Sequence, residues 1–379
     1  MSLVLSSEAR MVRDTAHDFF RERSPITAFR RLRDDRDPDG FSRRLWREMA
    51  ELGWTGFLVP EDHGGSGFGM AGLGQVMEAA GRTLAATPLV STALLGASLL
   101  DVAGNEAQKA AHFPGLVDGG TIFALALEEG AHHAPTGIAT TARRDGTGWV
   151  LDGRKTFVLD GHIADTLVVA ARTAGGSTDR SGITLFLVLA DAPGVTRTRT
   201  VMVDSRNAAR VTFDGVTLSA DAVLGPLDGG ADMLETVLDH ARAGLAAEML
   251  GSAAEAFERT VQYLKERKQF GVAIGSFQVL KHRAAQMFCE IEVTRSAVLA
   301  ALSALDERAN DAAPLASLAK AKAGDTFFLV GNEAIQMHGG IGMTDEHEIG
   351  FFTKRARVAQ ASFGDARFHR DRYATLMGY

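Results

Sequence analysis

Several clusters in this sequence carry residue types that could do chemistry. The glycine-rich run HGGSGFG at 63–69 offers the flexibility of a phosphate loop, but it lacks the GxGxxG spacing, a preceding strand in a βαβ unit, and any GK[ST]. It reads as a turn between helices. The pair His132-His133 offers two imidazoles, yet no Cys or carboxylate constellation at ligand spacing accompanies it, so a loop pair is expected and no metal. No GxSxG elbow supports nucleophilic hydrolysis. The single cysteine, Cys289, cannot close an internal disulfide, and its apolar setting AAQMFCEI predicts a small core residue rather than a reactive thiol. In ERKQFG, Arg267 and Lys268 have the position of last-turn cations on a helix dipole, with Gly271 as the αL cap and Gln278 a surface residue. In QMHGGIG, Gly339, Gly340 and Gly342 have the composition of a turn.

The chain that must position these residues has 379 residues, 40 basic and 47 acidic, for a formal charge of −7, and is 46% hydrophobic. That apolar content builds substantial cores and excludes disorder and collagen-like repetition. Mild acidity without a long basic run gives no field for nucleic acid. The opening MSLVLSSEARMVRD is too polar for a secretion signal, and LVSTALLGASLL at 89–100 falls short of the roughly 20 residues that span a bilayer. A cytoplasmic protein without membrane insertion is expected.

Composition changes twice along the chain. Met11, Val12, Ala16, Phe19 and Phe20 recur at helical spacing, as do Phe41, Leu45, Met49 and Leu52. From Thr121 to about Leu224 short β-rich runs alternate with Asp145-Gly146, Asp152-Gly153, Asp160-Gly161 and Gly175-Gly176, which predicts an antiparallel sandwich or barrel. No proline interrupts the stretch between Pro226 and Pro314, whose Ala, Leu, Glu, Lys and Arg read as long helices in a bundle. The expected class is α+β: a helical domain at 1–118, a β domain at 119–225 and a helical bundle at 226–379.

Four segments in this order resemble the acyl-CoA dehydrogenase family: LGWTGFLVPEDHGGSGFG, WVLDGRKTFVLDGHIADTLVVAAR, ERKQFGVAIGSFQVLKHRAAQM and AIQMHGGIGMTDEHEIGFFTKRARVAQASFGD. The resemblance covers essentially the whole chain and implies the same three-part layout. It implies FAD as cofactor, with Arg267, Phe270, Gln278, Gln336, Gly339 and Gly340 placed against the flavin of a neighbouring subunit. A guanidinium suits a pyrophosphate, an aromatic ring packs on a flat ring, and glycine permits close backbone approach. It also implies an acyl-CoA substrate of fatty or steroid type, an electron-transfer flavoprotein as partner, and Asp239 and Arg242 near the thioester and pantetheine.

The sequence departs from the family where the reaction needs a base to take the α-proton. The usual glutamate position holds Phe363, and the alternative position before Arg242 holds Ala241; neither accepts a proton. Candidates for a relocated base are Asp365 and His240, whose bland readings are a helix cap and a packed or solvated imidazole. Leu127 and Phe157-Val158-Leu159 replace hydroxyl donors that usually meet the flavin. Three functions follow: a dehydrogenase with a relocated base, a non-catalytic subunit completing the FAD site of a paralogous acyl-CoA dehydrogenase subunit, or a flavin oxidase or monooxygenase component. In each an oligomer is expected, from own copies or with the paralogue.

Overall fold

The structure, a computed structural model, describes residues 4–379. Helices α1 (Ser7–Arg23), α2 (Ile26–Asp34), α3 (Arg43–Glu51), α4 (Met70–Arg82), α5 (Ala97–Ala103) and α6 (Glu106–Val117) come first, with a π-helical run at Leu89–Gly96 leading into α5. Strands β1 (Phe123–Ala126), β2 (Thr141–Asp145), β3 (Gly148–Leu159), β4 (Thr166–Arg172), β5 (Ile183–Leu189), β6 (Val195–Val201), β7 (Asn207–Leu218) and β8 (Val223–Leu224) follow. Then come α7 (Gly230–Glu266), the hairpin β9 (Lys268–Gln269) and β10 (Val272–Ala273), α8 (Gln278–Asp306), α9 (Ala312–His338), α10 (Ile349–Ala361) and α11 (Ala366–Met377). The expected order of helices, strands and helices is present. HGGSGFG is the turn into α4.

The chain packs as two compact units. The first takes the residues up to Asp35, Met70–Ala85 and Arg242–Tyr379; the second takes Arg36–Gly69 and Ala86–Ala241. In the first unit α4 and α7 approach so closely that only glycine fits. A Cβ built on Gly81 would lie 2.1 Å from Glu248 O, and one on Gly251 1.9 Å from Glu78 O. The Ser252 hydroxyl of α7 donates to Gly81 O at 2.9 Å across the same crossing. The two glutamates then reach outward, Glu78 accepting from Arg295 of α8 at 2.6 Å and Glu248 from Arg355 of α10 at 2.8 Å. Asp306, at the end of α8, accepts the first N–H groups of α4, Met70 and Ala71, at 2.6 and 2.8 Å. A carboxylate there satisfies donors that a helix start leaves without partners.

The helical spacing of Met11, Val12, Ala16, Phe19 and Phe20 is that of α1, whose Ala16 and Phe20 are buried while Met11, on the opposite side from Phe20, is exposed. One expectation for a helix face is corrected. Cys289 is exposed, not core: Met287 and Ile291, one turn apart on α8, are the buried pair, and Cys289 falls between them on the outer face.

In the second unit eight strands form one sheet in the order β6-β7-β3-β2-β4-β5-β8, with β1 beside β4. The sheet is mixed rather than purely antiparallel. β1 pairs parallel with β4 from Phe123↔Thr166 to Ala126↔Val169, and β2 meets β4 in parallel at Thr141↔Arg172. Turn residues mark where a chain reverses but not which strand it joins. Asp145-Gly146 does close the β2–β3 hairpin, whereas Asp152-Gly153 lies inside β3 at an irregularity in its pairing with β7. β4 is buried along its whole length, and β3 with β7 forms the long ladder carrying Lys155 and the Phe157–Leu159 segment.

The α4–α7 crossing yields a test. Alanine is favoured over glycine inside a helix by about 1 kcal/mol, yet Gly251→Ala must push a backbone carbonyl aside. Overpacking typically costs about 1–3 kcal/mol, so a net loss of stability is expected. A thermal midpoint at or above wild type would show that the two helices are not in backbone contact.

Candidate functional site

In the first unit α7 ends just before Arg267, whose N–H donates to Tyr263 O at 2.8 Å. Phe270 and Gly271 form the two-residue turn between β9 and β10 with φ of +54° and +80°. Gly271 is thus a hairpin residue, not the helix cap, and Phe270 is held in a conformation costly for a side chain. Arg267, Phe270, Gln278, Gln336, Gly339 and Gly340 are all exposed, Phe270 at 90%. Gly339 (φ +66°, ψ −141°) ends α9, and neither it nor Gly340 has any atom within 4 Å of an added Cβ.

Two contacts bring the segments together. His338, just before Gly339, stacks on Tyr263 with centroids 4.4 Å apart, and the Tyr263 hydroxyl donates to His338 O at 3.3 Å. Arg283 of α8 pairs with Glu333 of α9 at 2.5 Å, one helix turn before Gln336. His338 is buried, its Nδ1 donates to Ala334 O at 2.7 Å, and burial lowers its pKa.

Phe363 lies in the turn between α10 and α11. Phe363 has φ +57° and Gly364 φ +101°. The turn is held through its carbonyls: His369 Nε2 donates to Phe363 O at 3.0 Å, and Arg242 Nε approaches the same oxygen at 3.4 Å. Lys320 of α9, fully buried, donates to Gln360 O at 3.0 Å and Gly364 O at 2.9 Å. Asp365 Oδ1 accepts from Phe368 N–H at 2.8 Å and caps α11, so this candidate base has a structural task. Arg242 is buried in this unit. Asp239, His240 and Ala241 fall in the second unit, Asp239 and Ala241 buried, His240 part-buried with Nδ1 3.1 Å from the Ser98 hydroxyl.

The loop of the second unit that begins at Leu127 is closed on itself. Buried Lys155 donates to Leu127 O at 3.0 Å and Glu129 Oε1 at 2.7 Å, and Glu129 also accepts from Ala139 N–H at 2.8 Å and Thr140 N–H at 3.0 Å. Burial pushes Lys155 down to about 8 against the pull of Glu129. Burial works to raise Glu129, yet Lys155 and the two N–H groups hold it below the usual carboxylate range. His133 pairs with Glu128 rather than with any metal-binding set, and no group of three or more ligating side chains occurs among the described residues. Phe157 is exposed at φ +51°, while Val158 and Leu127 are buried.

Three acyl-CoA dehydrogenase families match the chain: the N-terminal domain over residues 6–120, the middle domain over 124–216 and the C-terminal domain over 228–377. Acyl-CoA dehydrogenase FadE12 of Mycobacterium tuberculosis is 34% identical over 323 residues, 83% of each chain. A variant of the Tcur3481-Tcur3483 steroid ACAD superposes with a TM-score of 0.87 at 33% identity, covering 98% of this chain and 97% of that one. The ChsE4-ChsE5 complex of Mycobacterium tuberculosis gives 0.88 at 25% identity, covering 100% of this chain and 99% of that one. The chain belongs to the acyl-CoA dehydrogenase family. It is an oxidoreductase of a family that depends on FAD. No helix among the described residues is long and apolar enough to cross a membrane.

The residues present meet the cofactor unequally. The first unit offers an exposed guanidinium, two exposed amides, an exposed aromatic ring and open glycine backbone, a donor set that fits an anionic molecule with flat rings. In the second unit the Leu127 and Phe157–Leu159 side chains carry no hydroxyl, and Glu129 is taken up by Lys155 and backbone N–H groups. Lys155, Lys320, His369 and Tyr263 escaped the sequence reading. Lys320 had left a signal: it shares a helical face with Ala316, Ala323 and Phe327, a stripe otherwise apolar.

Lys320 carries a pH prediction. Burial pushes it from 10.5 down to about 7, Arg242 adding to the fall and Asp365 opposing it. Between about 7 and 10.5 the unfolded chain binds more protons at this residue, so its burial penalty is relieved as pH rises. Wild type should therefore gain stability relative to Lys320→Met on going from about pH 7 to about pH 9.5. An unchanged difference in thermal midpoint between the two proteins would mean that Lys320 is not titrating there.

Proposed function

We propose that this chain serves FAD-dependent α,β-dehydrogenation of an acyl-CoA thioester, of fatty or steroid type, together with a paralogous subunit that supplies the base. The observation that carries this reading is the exposure of Arg267, Phe270, Gln278, Gln336, Gly339 and Gly340 on a chain whose base positions hold Phe363 and Ala241. Bound FAD supplies the hydride acceptor. When FAD is bound, Arg267 would pair with its pyrophosphate, Phe270 would pack on a ring, and the glycine backbone and two glutamines would offer further hydrogen bonds. Phe363 and Ala241 move no proton, so the proton leaves through the partner. The resemblance matches Asp239 and Arg242 to positions that meet the thioester and pantetheine in the family. The names of two structural relatives, the Tcur3481-Tcur3483 enzyme and the ChsE4-ChsE5 complex, each join two gene products, which supports a hetero-oligomer. The reading keeps the division at 1–118, 119–225 and 226–379, a cytoplasmic setting and an electron-transfer flavoprotein as acceptor. A second reading keeps the reaction within copies of this chain, with His240 as base, its imidazole oriented by Ser98. The cap formed by Asp365 argues against that residue.

Purifying the chain alone and with its paralogue, and mixing each anaerobically with a panel of acyl-CoAs, tests this. Flavin should bleach only in the hetero-oligomer, because a general base contributes roughly 10²- to 10⁴-fold. Rapid bleaching by the chain alone, abolished in His240→Gln, would establish the second reading instead. Arg267→Ala should weaken FAD binding roughly 30- to 150-fold, the equivalent of about 2–3 kcal/mol for a guanidinium paired with pyrophosphate. An unchanged flavin affinity would remove Arg267 from the site.

A further inference from the structure

The segment between α9 and α10 carries the two exposed glycines, and its ends are held by different means. At its start, His338 is buried and stacked on Tyr263. At its far end Asp345 meets α2, an element more than three hundred residues earlier in the chain. Arg33 grips the carboxylate in both arms, Nη1 to Oδ1 at 2.6 Å and Nη2 to Oδ2 at 2.7 Å. Arg30 donates to Asp345 O at 2.8 Å and to Glu346 O at 3.3 Å. Both guanidiniums lie over the ring of Phe351, at 4.6 and 4.8 Å from its centroid, and Phe29 of α2 meets that ring edge-on at 5.6 Å. Arg259 pairs with Glu348 at 3.1 Å just before α10 begins.

We infer that Arg33 and Asp345 are positioning residues for the flavin, a latch by which α2 sets the conformation of the loop carrying Gly339 and Gly340. A bidentate guanidinium–carboxylate pair fixes direction as well as distance, which a single contact does not. Glycine at Gly339 gives the loop no side-chain preference of its own, so the far anchor selects among the backbone states that glycine permits. The arginine is pre-organised: Arg33's side chain is 19% exposed and packed on Phe351, while Asp345's is 58% exposed and arrives from the loop. Arg33 holds the Asp345 carboxyl below its usual range, so the pair stays ionised in mild acid.

The inference rests on the reading that Gly339 and Gly340 face a flavin, and the test separates the two. Hydrogen exchange of residues 339–346 is followed in the intact oligomer, and FAD release is followed by flavin fluorescence in the same preparation. Asp345→Asn and Arg33→Met should each speed exchange of the loop and FAD release by roughly 5- to 10-fold. Arg33→Met also releases Asp34, and Arg30 stays on the Asp345 carboxylate in that variant, so the double variant should match the more affected single variant rather than add the two effects. Asp345→Glu, which keeps the charge, should restore most of the FAD retention. Exchange unchanged in both single variants overturns the latch. Faster exchange with FAD release unchanged also overturns it as a positioning device. In that case Arg267→Ala reports on the site separately: weakened FAD binding there leaves the proposed function standing, and unchanged binding removes Arg267 from the site.

Discussion

The first unit depends on one steric constraint, the backbone contact between α4 and α7. Gly81 and Gly251 each face the carbonyl of a glutamate on the other helix, Glu248 and Glu78. The same glutamates send their carboxylates to Arg355 of α10 and Arg295 of α8. The crossing therefore sets the height of two further helices at once. Glu248 and Arg355 are both buried, so their pairing is under strong electrostatic obligation; removing either partner would strand the other's charge. Every candidate residue in this unit is carried by α7, α8, α9 or the turns that follow α7, α9 and α10. Their geometry is thus inherited from a contact in which none of them takes part.

The turn at Phe363 is held through its backbone, independently of the side chain at that position. Lys320, His369 and Arg242 all address main-chain oxygens of residues 360, 363 and 364. Main-chain acceptors are indifferent to the side chain at the position they belong to. Phenylalanine can stand at position 363 without disturbing the donors, provided the backbone still adopts positive φ at Phe363 and Gly364. That requirement costs on the order of 1 kcal/mol or more for a non-glycine residue, and the three donors offset it. The three donors keep the turn folded and packed.

Much of this was legible in one sequence, and what was not has common causes. Helical spacing and turn residues report local periodicity, so the order of helices, strands and helices and the cap formed by Asp365 could be read directly. The motif blocks singled out Arg267, Phe270, Gln336 and the glycine pair, all of them exposed. Strand partners could not be read, because β1 joins β4 in parallel across an intervening hairpin. Cys289 was misplaced because an apolar run looks the same on either side of a helix, and only Met287 and Ile291 turn inward. Arg33 and Asp345 were invisible for a third reason. Each is an ordinary charged residue in a charged segment, and their meeting exists only once α2 and the end of the α9–α10 loop are packed together.

On the proposed reading, the inequality between the two cofactor-facing sets has a thermodynamic consequence. A set that is exposed and incomplete on one chain gains its binding energy only when a second chain supplies the remaining contacts. Flavin binding and subunit association are then linked, each strengthening the other by the same factor. The second unit follows the opposite logic. There Lys155 and Glu129 satisfy each other and the loop at Leu127 by an internal ion pair, with Lys155 held fully buried. Opening that loop toward a ligand would expose an ion pair whose low-dielectric attraction is the compensation for its burial. On that reading the first unit calls for a partner at the surface carrying Arg267 and Gly339, whereas in the second unit an internal ion pair closes the loop at Leu127.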